Sequence, residues 1–151
     1  MVNTDLLKKQ VLLEDIGNEG LNKIAEIVKK MSFKKGEYLF KEGDDTRGLY
    51  LVHSGKVEIS RVTADGWRQT LAVFTPGYFF GELSLLEKRQ HVASAVAIDD
   101  TELFLLPVGE FEKLMEEDMA LACNIIKRIA ITMSKNLRRM NDKFLSALIS
   151  Y

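Results

Sequence analysis

The chain has 151 residues, an apolar share of 46% and a net charge of −1. This suits one folded domain with a real core, or such a domain plus an extended helix, and excludes a disordered chain. So small a charge gives no field to draw in nucleic acid or an anionic membrane, and no apolar run approaches the roughly 20 residues of a membrane span. The single cysteine, Cys123, cannot form an internal disulfide, and the N-terminus has no signal-peptide core. A cytoplasmic protein in a reducing compartment is the expectation.

Residues 4–13 and 18–31 are predicted as helices. Asn18 is the candidate N-cap of the second, and Leu21, Ile24, Ile27, Val28 and Met31 recur at helical spacing opposite a charged face. From Phe33 the rhythm changes to period two with frequent glycine. Strands are predicted over 37–40, 48–53, 56–62, 67–74, 93–97 and 102–106. Turn signals separate them: Lys35-Gly36, Glu42-Gly43-Asp44-Asp45, Ser54-Gly55, Asp65-Gly66 and Pro76-Gly77. Asp65-Gly66 between alternating strands predicts a two-residue hairpin loop. Many short strands at near-even spacing predict an antiparallel barrel or sandwich.

Between two of these strands lies Phe79-Phe80-Gly81-Glu82-Leu83-Ser84-Leu85-Leu86. Glycine followed by residues that favour one helical turn leaves the first backbone N–H groups free to meet an anion. Gly81 removes the side chain that would keep a ligand away from the backbone. Glu82 is unsuited to the anion itself, because like charges repel, but suited to accept hydrogen bonds from a neighbouring sugar hydroxyl. The pair suggests a sugar-phosphate ligand; a tight turn beside a core helix would read the same way.

After Pro107 the pattern is helical to the end, with a short helix over 110–117 and a long one over 119–149. In the long helix Ala130, Met133, Leu137, Met140, Phe144 and Ala147 alternate in steps of three and four, a heptad seam. Leu121, Ala122, Ile125 and Ile126 are expected to pack on the barrel of the same chain. A helix of about 30 residues spans roughly 45 Å, longer than such a barrel, so its far half is expected to pair with a second subunit.

The order of parts resembles the cyclic nucleotide-binding domain, in the form found in CRP/FNR-type regulators. The resemblance rests on Phe33-Lys34-Lys35-Gly36-Glu37, Lys41-Glu42-Gly43-Asp44, Leu49-Tyr50-Leu51-Val52 leading to Ser54-Gly55-Lys56-Val57, then Asp65-Gly66, Pro76-Gly77, the Phe80–Leu86 stretch, and Phe111. It implies a mainly β domain, an antiparallel β-roll or jelly-roll flanked by N-terminal helices and a long C-terminal dimerisation helix. The chain would be a single domain: helices over 1–32, the β-roll over 33–107 with a phosphate-binding cassette over 80–94, and helices over 108–151.

The resemblance also assigns roles. Gly81 and the backbone amides of Leu83 and Ser84 would bind the cyclic phosphate, with Glu82 on the ribose 2′-hydroxyl, Phe80 at the near end of the ligand site and Ala93-Ser94 at its far end. Where the family has a phosphate-neutralising arginine, this chain has His91, with Arg89 two residues earlier. Histidine is mostly neutral at pH 7 and lacks the guanidinium fork. Losing such a contact costs about 1.5–3 kcal/mol, roughly tenfold to a hundredfold in affinity. The implied ligand is a cyclic nucleotide (cAMP or cGMP) or a related phosphorylated small molecule, with a cyclic nucleotide bound weakly or not at all for want of that arginine. A polar residue of the long helix would touch the base, with Asn136 the best candidate before Ser134 and Thr132. Ligand binding would shift that helix and reset a homodimer.

Other chemistry finds little support. His53 and His91 have no metal-ligand spacing and no Cys-x-x-Cys is present, which argues against a metal centre and against haem. Serine and histidine occur without a catalytic elbow, so no catalytic residue is assigned and no enzyme is expected. A ligand-free dimerisation or interaction domain is one alternative. Another is the sensor part of a DNA-binding regulator, since the sequence ends at Tyr151, before a helix-turn-helix could follow.

Overall fold

The computed structural model describes residues 1–149, apart from the side chains of Leu83 and Ser84. Two short N-terminal pieces, helix α1 (Thr4–Leu7) and a 3₁₀ turn at Val11–Leu13, lead into α2 (Asn18–Ile27). The N-cap of α2 is Gly17, and Asn18, expected as the cap, is its first helical residue. The helix also ends earlier than its spacing predicts. Val28 is already extended, and Lys29–Phe33 form strand β1, paired antiparallel with a later strand from Lys29↔Leu105 to Phe33↔Thr101. Val28 and Met31 continue the helical spacing, but β-branched Val28 weakens the helix and the distant strand supplies a better backbone partner.

The roll consists of β1, β2 (Tyr38–Phe40), β3 (Gly48–Ser54), β4 (Val57–Val62), β5 (Arg68–Phe74), β6 (Phe79–Phe80), β7 (Ser94–Ala97) and β8 (Thr101–Pro107). They form two four-stranded antiparallel sheets, ordered β1-β8-β3-β6 and β2-β7-β4-β5. The β4–β5 hairpin forms as expected, but not with a two-residue loop. Thr63 N–H donates to Trp67 O at 2.7 Å and Gly66 N–H to Thr63 O at 2.9 Å, so Ala64, Asp65 and Gly66 make the turn. Gly66 sits at φ +84°, the left-handed position that a loop of this kind requires.

β3 is apolar on both faces because both are covered. Tyr50 and Val52 point into the roll with Phe40, Phe80 and Leu105. Leu49 and Leu51 point outward, with Phe104 and Leu106, under the helices. This second core is closed by α1, α2, α4 (Val108–Glu117) and the start of α5 (Met119–Ile149). Each large side chain so buried contributes about 1.5–3 kcal/mol.

Asp118 sets the start of α5. Its carboxylate accepts from Leu121 N–H at 3.2 Å and pairs with Lys23 of α2 at 2.6 Å. The first turns of α5 bury Leu121, Ala122, Ile125 and Ile129, with Ile126 only partly covered. Their partners are the N-terminal helices as well as the outer face of the roll, where the roll alone was expected. Arg128 adds ion pairs to Glu14 and Asp15. Beyond Met133 the helix leaves the body, with Leu137, Met140 and Phe144 exposed at 58%, 66% and 64%. Among the described residues no helix is long and apolar enough to cross a membrane.

Candidate ligand-binding site

The cassette runs from β6 through the short helix α3 (Glu82–Glu87) to β7. β6 pairs with β3 through Tyr50↔Phe80 and Leu51↔Phe79, which anchors the cassette's start to the middle of the roll. Gly81 then turns at φ +90° as the N-cap of α3. A side chain there would be strained, and its Cβ would stand 3.1 Å from Gly48 O and 3.5 Å from Tyr50 Cδ2. Glycine is needed both for the conformation and for the approach of the two segments.

Glu82 follows, part-buried, and burial raises its pKa above the ordinary carboxylate value, offset by a hydrogen bond from its own backbone N–H. Among the described residues no cation pairs with it. The resemblance gives Leu83 and Ser84 roles through their backbone amides, in the first turn of α3; their side chains lie outside the described residues. Leu85 is buried in the helical core and its N–H bonds back to Gly81 O at 3.1 Å, which closes the first turn of α3.

At the other end of the cassette His91 is buried rather than extended toward solvent. Its ring stacks on Phe40, centroids 3.5 Å apart and planes within 9°. Its backbone is clamped by the loop after β2: His91 N–H donates to Asp44 O at 2.9 Å, and Gly43 N–H donates to His91 O at 2.8 Å. Burial lowers the ring's pKa below 6.5, partly countered by the nearby Asp44 carboxylate. At neutral pH the ring is therefore uncharged. Arg89 does not take its place; it is exposed and pairs with Glu87 at 2.7 Å.

Ala93 is buried, and the Ser94 hydroxyl accepts from Glu42 N–H at 3.0 Å, tying β7 to the same loop. Phe80 stacks on Tyr50, centroids 5.1 Å apart, and Phe40 lies 5.6 Å from Tyr50. Phe40, Tyr50, Phe80 and His91 thus pack against one another on the inner side of the cassette. Of these the sequence pointed to Phe80 and His91. Phe40 and Tyr50 read as ordinary strand residues, and only the sheet pairing brings them here.

Asn136, Ser134 and the seam positions Leu137, Met140, Phe144 and Ala147 are exposed on the projecting half of α5; Ala130 is also exposed, while Met133 and Thr132 are half-buried. In the single chain the structure does not bring Asn136 to the cassette. The two histidines lie apart: His53 meets Phe104, at 5.5 Å, in the outer core, and His91 lies within the roll.

Comparison with known proteins agrees with this arrangement. Residues 30–118 match the family described as cyclic nucleotide-binding domain. The cyclic AMP receptor protein of Thermus thermophilus is 34% identical over 124 residues, covering 82% of this chain and 57% of that protein. The anaerobic regulatory protein of Bacillus subtilis is 32% identical, covering 83% and 52%. The chain therefore spans about half the length of these relatives. The crystal structure of Thermus thermophilus catabolite activator protein superposes with a TM-score of 0.77 at 30% identity, over 89% of this chain and 62% of that one. A cyclic nucleotide-binding domain from Methylobacillus flagellatus reaches 0.85 at 20% identity, over 94% and 84%, a likeness of fold. With a two-sheet roll, a Gly81-Glu82 cassette between β6 and β7, a long final helix and these matches, the chain belongs to the cyclic nucleotide-binding domain family, in the form found in CRP-type regulators.

Proposed function

We propose that the chain is a regulatory, non-catalytic module that binds a cyclic nucleotide in the 80–94 cassette and passes the signal to a dimer through α5. The observation that carries this is Glu82. It is a part-buried carboxylate that pairs with no cation among the described residues, next to Gly81, which opens α3 at φ +90°. Leaving a carboxylate in that state is unfavourable, and a donor hydroxyl from a ligand would relieve it. Position 91 supplies no positive charge, so affinity is expected about tenfold to a hundredfold below that of a cassette with arginine there.

The dimer is supported by Leu137, Met140 and Phe144, large apolar residues in heptad spacing with nothing of their own chain to cover them. Pairing α5 with its copy would bury them and bring each helix near the other subunit's roll. Asn136 would then reach a base only in the dimer.

A thermal-shift panel of cyclic mononucleotides and cyclic dinucleotides tests the proposal. A rise of several degrees with one compound supports it. No shift with any member, by a chain that is dimeric in solution, would leave a dimerisation domain whose interior is filled by its own aromatic rings.

A further inference from the structure

The loop between β2 and β3, residues 41–47, grips the cassette at both ends. At one end Asp44 and Gly43 hold the backbone of His91 at 2.9 and 2.8 Å. At the other, Gly48 lies so close to Gly81 that a Cβ on Gly81 would come within 3.1 Å of the Gly48 carbonyl. The loop is stiffened from within by Asp44, whose carboxylate accepts from Lys41 N–H at 2.8 Å. Its last residue is pinned from outside, because Val108 N–H donates to Arg47 O at 3.0 Å. The main chain that carries Arg47 is therefore fixed beside the start of the cassette.

Three polar groups at the end of this loop and the start of β3 lack partners among the described residues. Tyr50 is fully buried, and its hydroxyl makes no hydrogen bond. The hydroxyl of Thr46 is buried and also unpaired. Arg47 is exposed, and no ion pair or side-chain hydrogen bond holds its guanidinium. Its charge nevertheless reaches the Tyr50 hydroxyl, as does that of Asp44. Orphaned buried hydroxyls are rare in folded proteins, and the Tyr50 ring packs near Gly81 at the start of the cassette, where a bound anion would supply an acceptor. The cassette meanwhile lacks a cation at position 91, where an uncharged ring is stacked on Phe40.

We propose that Arg47, with the hydroxyls of Thr46 and Tyr50, holds the anionic group of the cassette's ligand, so that the 41–47 loop and not position 91 is the charge-neutralising wall. This rests on the nucleotide-binding function proposed above and names the residues that give it charge specificity. One guanidinium matches the single negative charge of a cyclic phosphodiester. It matches less well the nearly double charge of a phosphomonoester, which Glu82 would also repel.

Calorimetric titration of the full chain with cyclic AMP, cyclic GMP and 5′-AMP at low and moderate salt tests the proposal. Four proteins are compared: the unaltered chain, Arg47→Gln, Arg47→Lys, and Lys127→Gln on the exposed face of α5. Arg47→Gln is expected to weaken cyclic nucleotide binding about tenfold to a hundredfold and to flatten its salt dependence. Arg47→Lys should retain most of the affinity, Lys127→Gln all of it, and 5′-AMP should bind worse than either cyclic compound. Thermal melts confirm that each variant folds, as expected for exposed side chains. If the unaltered chain binds a cyclic nucleotide and Arg47→Gln binds it equally well, the loop is not the wall and the nucleotide function stands. If the unaltered chain binds neither cyclic nucleotide nor any cyclic dinucleotide of the thermal-shift panel, the function fails and the role of Arg47 with it.

Discussion

The imidazole of His91 lies flat on the ring of Phe40, 3.5 Å between centroids. The residue at the position where the family resemblance implies a cation is packed against the roll's aromatic core. Its lowered pKa is a consequence of that burial, and it links the site to folding.

Stability is therefore expected to depend on pH through His91. In the unfolded chain the ring takes up a proton near its ordinary value of 6.5, but in the folded chain only at lower pH. Between those values the unfolded state binds more protons, so stability falls as pH drops through 6.5. Urea denaturation at pH 7.5 and 5.5 measures this. His91→Phe keeps a ring on Phe40 and should lose much of the dependence; an unchanged slope in that variant would assign it elsewhere.

Glu82 has the opposite sign. Burial raises its pKa, so the folded state prefers the neutral acid, and ionisation costs stability as pH rises through the ordinary value of 4.5. Glu82→Gln should raise the melting temperature of the ligand-free protein at pH 7. The same change should weaken a ligand bearing a ribose hydroxyl by about tenfold to a hundredfold, since it removes a charged acceptor. A variant less stable than the original would mean that the carboxylate is already satisfied in the free protein.

Tyr50→Phe removes a buried hydroxyl that has no partner. In the free protein this should be neutral or stabilising by about 1 kcal/mol, since a desolvated donor is lost and no bond is broken. For a chain of this size that is a rise of roughly 2–4 °C in Tm. The stacking of Tyr50 on Phe80 would be kept. Destabilisation, read by calorimetry, would show that the hydroxyl is bonded in the folded state.

Leu137→Asp and Phe144→Asp should leave the folded subunit almost unaltered, because both positions are exposed in the single chain. Each should nevertheless shift a dimer toward monomer, by placing a charge in a heptad seam. Sedimentation equilibrium reads the result. A chain that is monomeric before substitution, or a dimer indifferent to both changes, would remove α5 as the interface.

Much of this architecture was legible in the sequence because it is locally encoded. Period-two alternation marked the strands that form β2, β3, β4, β5, β7 and β8, and the steps of three and four placed the long helix over 119–149, where it lies. Gly81-Glu82 marked the cassette, since only glycine tolerates the left-handed turn found there. Where distant segments decide, the sequence misled or was silent. Val28 to Met31 kept a helical rhythm, yet residues 29–33 pair with β8.

The chemistry of the site belongs to that second kind. A histidine at position 91 was visible, but not that it stacks on Phe40. Arg47 and Tyr50 stood in plain view as a loop cation and a strand aromatic, with nothing nearby in sequence to connect them to Gly81. The backbone bonds between Asp44 and His91 and the close approach of Gly48 to Gly81 make that connection. Neighbouring residues encode six of the eight strands, the glycine that opens the cassette and the reach of the last helix, because periodicity and backbone freedom are local properties. Only the folded chain shows which aromatic rings pack beside the cassette and which loop is bonded to it, because that depends on pairings that join residues far apart in the chain.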